Sequence, residues 1–319
     1  MISLSFCGRY FLCFLSHIQL RLNILAKKET KMSKTLVNTA NNTRLQGKVA
    51  IITGGASGIG EATARLFADR GTAMVVIADI QDDLGRHVAE SIGSDRCTYA
   101  HCDVTDEDQV KSTVESTVQN HGRLDIMFCN AGVGSRSDQN VLDLDFAAFD
   151  RLMAVNVRGV ALCLKHAARV MVVRRVRGSI VCTGSVAAAR GGRRWTDYHM
   201  AKHAVLGLVR SASLQLGEHG IRVNCVSPSG VATPLSCEAN GVGAAELEKR
   251  YEAFSSLKGI VLKTRHVADA VLFLACDESE FVTGHNLEVH GWVTSGFPVG
   301  LPALVLSVCE NLLKECIVR

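Results

Sequence analysis

Short apolar runs without polar alternation recur along the chain, each followed by a stretch whose apolar positions repeat at helical spacing. The first, residues 48–53, reads Lys-Val-Ala-Ile-Ile-Thr. Successive β-branched and aliphatic residues suit a strand buried on both faces. Residues 73–78, 97–101, 125–129, 178–183, 221–227 and 286–289 predict six more strands. Periodicity predicts helices over 61–70, 106–121, 143–152, 155–172, 196–217 and 266–276. Strands alternating with helices of this length imply one α/β domain, a doubly wound parallel sheet with helices on both faces. Residues 235–259 carry neither pattern; polar and rich in small residues, they are expected to form a lid.

The formal charge of +4 misleads until it is divided. Residues 1–48 hold eight Lys or Arg and one Glu, a surplus of seven, so the remainder nets −3. A slightly acidic body argues against a nucleic-acid groove. The Arg174-Arg175-Val176-Arg177 run reads as a solvated helix end, where cations suit the dipole. Twelve cysteines are scattered with no Cys-x-x-Cys, so reduced thiols are expected rather than a zinc ribbon or a redox pair. His199 and His203 lie four apart, but no glutamate follows His199, and both are expected on a helix surface rather than on a metal.

The two ends differ from the body. Residues 1–31 are basic, amphipathic and free of acids before Glu29, the composition of a transit peptide. Their longest uncharged run, 10–20, is too short to span a bilayer. Translation from Met32 is the other reading, with 33–44 as a polar leader. The expected organisation is a leader over 1–44, one folded domain over 45–297 and an atypical apolar tail over 298–319. The cytosol is the expected compartment, with a plastid or mitochondrion as the alternative if residues 1–31 are a transit peptide.

Gly54-Gly55-Ala56-Ser57-Gly58-Ile59-Gly60 sits between the first strand and the first helix. Glycines let backbone approach a pyrophosphate, and free N–H groups at a helix start attract its charge. An isolated glycine turn would mean little; in this strand-turn-helix context it indicates a dinucleotide site. Asp79 ends the second strand nineteen residues beyond Gly60. An acid there accepts hydrogen bonds from ribose hydroxyls and repels a 2′-phosphate, which favours NAD over NADP. A simple helix N-cap is the competing reading of Asp79, and both roles could hold together.

Tyr198 and Lys202, four apart on the helix over 196–217, share a face. Free tyrosine has a pKa of about 10, too high for a base at neutral pH, and a nearby cation favours the phenolate. Taken alone, Tyr-x-x-x-Lys is as well explained by a solvated pair. Ser185, just past the carboxyl end of the strand over 178–183, stands where ligands of open α/β sheets bind.

These motifs together resemble the short-chain dehydrogenase/reductase family over residues 45–297. Six occur in family order: Thr53-Gly54-x-x-x-Gly58-x-Gly60, Asp103-Val104, Asn130-Ala131-Gly132, Asn156, Ser185 and Tyr198-x-x-x-Lys202. The phrases Lys-His-Ala-Val-Leu-Gly-Leu and Gly-Val-Ala-Thr-Pro are most similar to plant NAD-linked alcohol dehydrogenases of the secoisolariciresinol and xanthoxin dehydrogenase type. The resemblance implies a Rossmann-type fold and hydride transfer between NAD and a hydrophobic secondary alcohol or ketone. It makes Tyr198 the general base or acid, with Lys202 beside it on the nicotinamide ribose. Ser185 positions the substrate oxygen and Asn156 anchors a relay water. It places the cofactor against Gly54, Ser57, Gly58, Ile59, Gly60, Asp79, Asp103, Val104, Asn130, Ala131, Gly132, Val231 and Thr233. It also implies a homodimer or homotetramer.

Departures are Cys129 for the first Asn of Asn-Asn-Ala-Gly, Ser229 within the usual Pro-Gly, and His290-Gly291-Trp292 for Asp-Gly-Gly. Gly192-Arg193-Arg194-Trp195 stands where an apolar substrate-side loop is expected; recognition of a polar substrate is one reading and a solvated loop the favoured one. Outside the enzyme class, an NAD(H)-binding sensor would keep the glycine turn and Asp79 without needing Tyr198, Lys202 and Ser185, while a scaffold or catalytically impaired member of the same fold is favoured only by the altered C-terminus.

Overall fold

The structure, a computed structural model, describes residues 43–291. The expected leader up to residue 42 and the tail over 298–319 lie outside the described residues. Seven strands form one all-parallel sheet: β1 (Val49–Thr53), β2 (Met74–Asp79), β3 (Cys97–His101), β4 (Ile126–Cys129), β5 (Ser179–Thr183), β6 (Arg222–Pro228) and β7 (Asn286–Val289). Their order is β3-β2-β1-β4-β5-β6-β7. Strand order reverses between β1 and β4, so the carboxyl ends there open the crevice in which such sheets bind ligands.

Both faces are covered. Helices α1 (Gly58–Asp69), α2 (Asp82–Ile92) and α3 (Glu107–His121) follow the first three strands. Helices α4 (Phe146–Met153) and α5 (Val160–Val173) precede β5, and α6 (Thr196–Leu216) follows it. After β6 come α7 (Pro234–Asn240), α8 (Ala244–Phe254) and α9 (Thr264–Ala275). Because strand residues alternate sides, Val49 and Ile51 enter one core with α3, α5 and α6, while Ala50 and Ile52 enter the other with α1 and α9. That is why the runs lack polar alternation. The pairing Cys129↔Cys182↔Cys225 in β4, β5 and β6 forms a thiol row in the first of these cores. The eight described cysteines are free, and seven are buried. Burial pushes the Cys97 and Cys225 thiols up to about 12 and Cys102 up to about 11, which leaves them unreactive at physiological pH.

Two expectations need correction. The helices expected over 143–152 and 155–172 are parts of one rod: α4 runs through a π turn at Ala154–Gly159 straight into α5. No proline interrupts this stretch, and the wider turn absorbs Asn156 without ending the helix. The segment 235–259 is also not irregular, since it holds α7 and α8. Pro234 starts α7 beneath a capping box between Thr233 and Ser236. Helix α8 buries only Leu247, so its apolar pattern is too thin to read as a helix from sequence. Among the described residues no helix is long and apolar enough to cross a membrane.

Candidate active site

The glycine turn is closed by contacts that leave no room for side chains. Gly54 and Gly58 have φ of +66° and +58°. A Cβ on Gly60 would lie 2.0 Å from the Gly54 carbonyl oxygen. Ser57, the N-cap of α1, makes no side-chain capping bond, so the first-turn N–H groups remain available to an anion. Asn130 ties this turn to the next two strands. Its amide donates to the carbonyls of Thr53 (3.1 Å) and Gly54 (3.2 Å), and its oxygen accepts from the Thr183 hydroxyl at 3.1 Å. Asp79 is 5 % exposed; its carboxylate accepts from the Ala56 N–H (3.0 Å) and the Gln81 N–H (3.0 Å). The N-cap of α2 is Gln81 rather than Asp79. Asp79 therefore braces the glycine turn, and the simple N-cap reading fails.

The face expected for Tyr198 and Lys202 is formed. Lys202, 5 % exposed, donates from Nζ to the Thr183 carbonyl at 2.9 Å and sits 5.4 Å from the Tyr198 ring centroid. The pair is thus not a solvated one: the last residue of β5 holds the ammonium in place. Ser185 heads a short turn, where its hydroxyl accepts from the Ala187 N–H at 3.1 Å.

Tyr198, Lys202 and Ser185 line one cavity of about 1510 Å³ with Gly54, Ser57, Gly58, Ile59, Asp79, Asp103, Val104, Asn130, Ala131, Gly132, Val231 and Thr233. Two expected site residues stand behind its wall. Gly60 is fully packed against Gly54, and Asn156 is 1 % exposed. The Asn156 amide accepts from the Val133 N–H (2.8 Å) and donates to the Val133 carbonyl (2.9 Å), so this side chain shapes the wall without facing the cavity.

Tyr251 and Asp197 are site residues not expected from sequence. Tyr251, on α8, lines the cavity, and its ring packs where a Cβ on Gly230 would fall. Burial pushes the Tyr251 phenol up to about 12, which makes it a hydrogen-bond donor and not a base. Asp197 is fully buried and accepts from the Ser135 hydroxyl at 2.5 Å and the Tyr198 N–H at 2.8 Å. It pins the loop after β4 to the start of α6. An aromatic in a weakly patterned stretch and an acid beside Tyr198 were the only signals.

The loop before α6 is in part the solvated loop favoured from sequence, with Gly192 and Arg193 exposed, but Arg194 and Trp195 are half-buried. Trp195 is left-handed, with φ of +64°, and its N–H donates to the Asp138 carbonyl at 2.6 Å. Arg194 pairs with the Asp138 carboxylate and lies 5.3 Å from the Trp195 ring centroid. Arg190, Arg193 and Arg194 all line the cavity. His199 is half-buried against this loop rather than on the surface, with Nδ1 2.9 Å from the Arg190 carbonyl. Among the described residues no cluster of His, Cys, Asp or Glu could hold a metal.

The family model described as enoyl-(acyl carrier protein) reductase matches residues 54–294. The chain is 58 % identical to (−)-isopiperitenol/(−)-carveol dehydrogenase, mitochondrial, of Mentha piperita, across 78 % of this chain and 94 % of that one. The chain belongs to the short-chain dehydrogenase/reductase family. It is also 57 % identical to a (+)-cis,trans-nepetalactol synthase of Nepeta racemosa, over 79 % of this chain and 95 % of that one. It shares 48 % identity with secoisolariciresinol dehydrogenase of Forsythia intermedia, over 87 % and 95 %. Membership places the short-chain dehydrogenase/reductase chain among oxidoreductases whose members typically bind a nicotinamide cofactor, and the glycine turn and helix start fit a dinucleotide phosphate.

Proposed function

We propose that this short-chain dehydrogenase/reductase oxidises a hydrophobic secondary alcohol of the terpenoid, steroid or lignan kind with NAD, or reduces the matching ketone. The observation that carries the reading is the convergence of Tyr198, Lys202 and Ser185 on one cavity with the glycine turn and Asp79. The glycine turn and α1 would hold the pyrophosphate, and Asp79 the adenosine ribose. Asp103, Val104, Asn130, Ala131 and Gly132 would line the adenine and ribose path, with Val231 and Thr233 at the nicotinamide. When bound, the nicotinamide supplies hydride acceptance or donation. Tyr198 takes the hydroxyl proton in oxidation and returns it in reduction. Lys202 keeps a fixed positive charge beside that phenol, Ser185 orients the substrate oxygen, and Asn156 holds the Val133 backbone that backs the wall.

NADH titration followed by a panel of such alcohols tests the reading. No dinucleotide binding, or binding without turnover of any member, would replace it with the scaffold or the sensor. Relatives named (+)-cis,trans-nepetalactol synthases favour a second reading, formation of a nepetalactol-like product by a synthase reaction in the same cavity.

Cofactor choice rests on Asp79. The unmutated protein is expected to bind NADH at least about tenfold tighter than NADPH, a difference of roughly 1.4 kcal/mol. Asp79→Ser with Ile80→Arg should reverse that order in a fluorescence titration. Tighter NADPH binding by the unmutated protein would refute the assignment.

Exposed Phe146, Val173, Met200 and Leu214 leave α4, α5 and α6 with apolar surface, and we propose that a second copy covers it in a homodimer or homotetramer. Light scattering should give a multiple of the 34.3 kDa chain mass at micromolar concentration. A monomer mass would contradict this. The proposed compartment is the cytosol. A full-length fluorescent fusion found in plastids or mitochondria would move it to the alternative that the basic leader raises.

A further inference from the structure

The substrate end of the cavity carries a charge that an all-apolar ligand would not use. The loop before α6 is built: Trp195 and Arg194 are tied to Asp138, and the Arg190 carbonyl to His199. Trp195 and Gln139, the residue after Asp138, are both left-handed non-glycine residues, and the Gln139 carbonyl accepts from the Thr196 N–H at 3.2 Å. Strain of this kind persists only where surrounding contacts hold it.

From this fixed backbone Arg190 and Arg193 reach the cavity wall, and neither forms an ion pair among the described residues. Arg194 is already neutralised by Asp138. Glu238, on α7, lines the wall together with Asp79 and Asp103, and it too forms no ion pair among the described residues. Apart from Arg194, the wall carries Arg151, Arg190, Arg193 and Lys202 against Asp79, Asp103 and Glu238, a surplus of one positive charge. Arginine forks match a carboxylate geometrically, and a cleft of one sign concentrates ligands of the other.

Resting on the proposed alcohol oxidation, we propose that the substrate is an apolar alcohol or ketone bearing a carboxylate, which Arg190 and Arg193 receive at the cavity mouth. The apolar body lies against Val186, Leu235 and Tyr251, which line the same cavity.

The test uses 4-isopropylcyclohexanecarboxylate and its methyl ester, titrated calorimetrically into the full chain with and without saturating NADH. The acid should bind about two- to fivefold tighter than the ester, the order expected of a solvent-exposed charge pair. That ratio should fall towards unity at high salt, where such pairs are screened. It should also be lost in Arg190→Gln/Arg193→Gln, whose exposed side chains can be replaced without opening the core. Equal binding of acid and ester, no measurable binding of the acid, or a preference that survives both the double substitution and high salt would overturn the proposal. Failure to bind NADH would count against the dehydrogenase reading alone, because the acid-to-ester ratio is read in either state.

Discussion

Tyr198→Phe is expected to lower kcat by about a thousandfold or more, within the range attributed to a single general acid–base group, while leaving NADH affinity within about twofold of the unmutated protein. The substitution removes one oxygen from a half-buried ring that Lys202 faces at 5.4 Å, and it leaves the Lys202 bond to Thr183 intact. The glycine turn and Asp79 are untouched. Steady-state rates on the most active panel alcohol, with NADH fluorescence titration in parallel, separate the two effects. Retained turnover would remove Tyr198 from the chemistry, and lost NADH affinity would show that the ring acts in binding.

Gly60→Ala should have a comparably large effect, on binding rather than chemistry. The new Cβ would stand 2.0 Å from the Gly54 carbonyl oxygen and 2.8 Å from its carbon, and neither atom belongs to a side chain that can swing away. The turn must open or α1 must shift. A loss of at least about 100-fold in NADH affinity is expected, roughly 3 kcal/mol and at the upper end of overpacking costs. Circular dichroism and the thermal midpoint show whether the sheet survives. A variant that folds and binds NADH normally would mean that the turn does not set the cofactor site.

Much of this was legible in the chain because the sheet is buried on both sides. Runs such as Val49–Thr53 and Met74–Asp79 carry no competing pattern, and strand ends fall within a residue or two of expectation. Helix α1 begins at Gly58, three residues before the expected start, because its opening glycines carry no apolar signal. The family was legible for a different reason: six short motifs, each bound to one local geometry, occur in one order.

What stayed hidden depends on long-range contact. Nothing local reveals that Asp138 captures both the backbone of Trp195 and the side chain of Arg194, which half-buries the end of a loop whose Gly192 and Arg193 stay exposed. Asn156 was taken as a group in the site, yet its amide is spent on Val133, a partner 23 residues away. Tyr251 belongs to a helix that buries one leucine, so periodicity could not place it. Asp79 shows the reverse case, in which a role read from spacing gains a brace to Ala56 that spacing does not disclose.

Dehydrogenation requires that hydrogen leave the substrate as NADH forms. Incubating the protein with NAD and each panel alcohol, then quantifying NADH by absorbance and the product by mass spectrometry, measures both sides of that exchange. A product lacking two hydrogens, formed one-for-one with NADH, is expected, with both signals lost in Tyr198→Phe. A product of unchanged mass that accumulates without NADH would contradict this and favour the synthase reading.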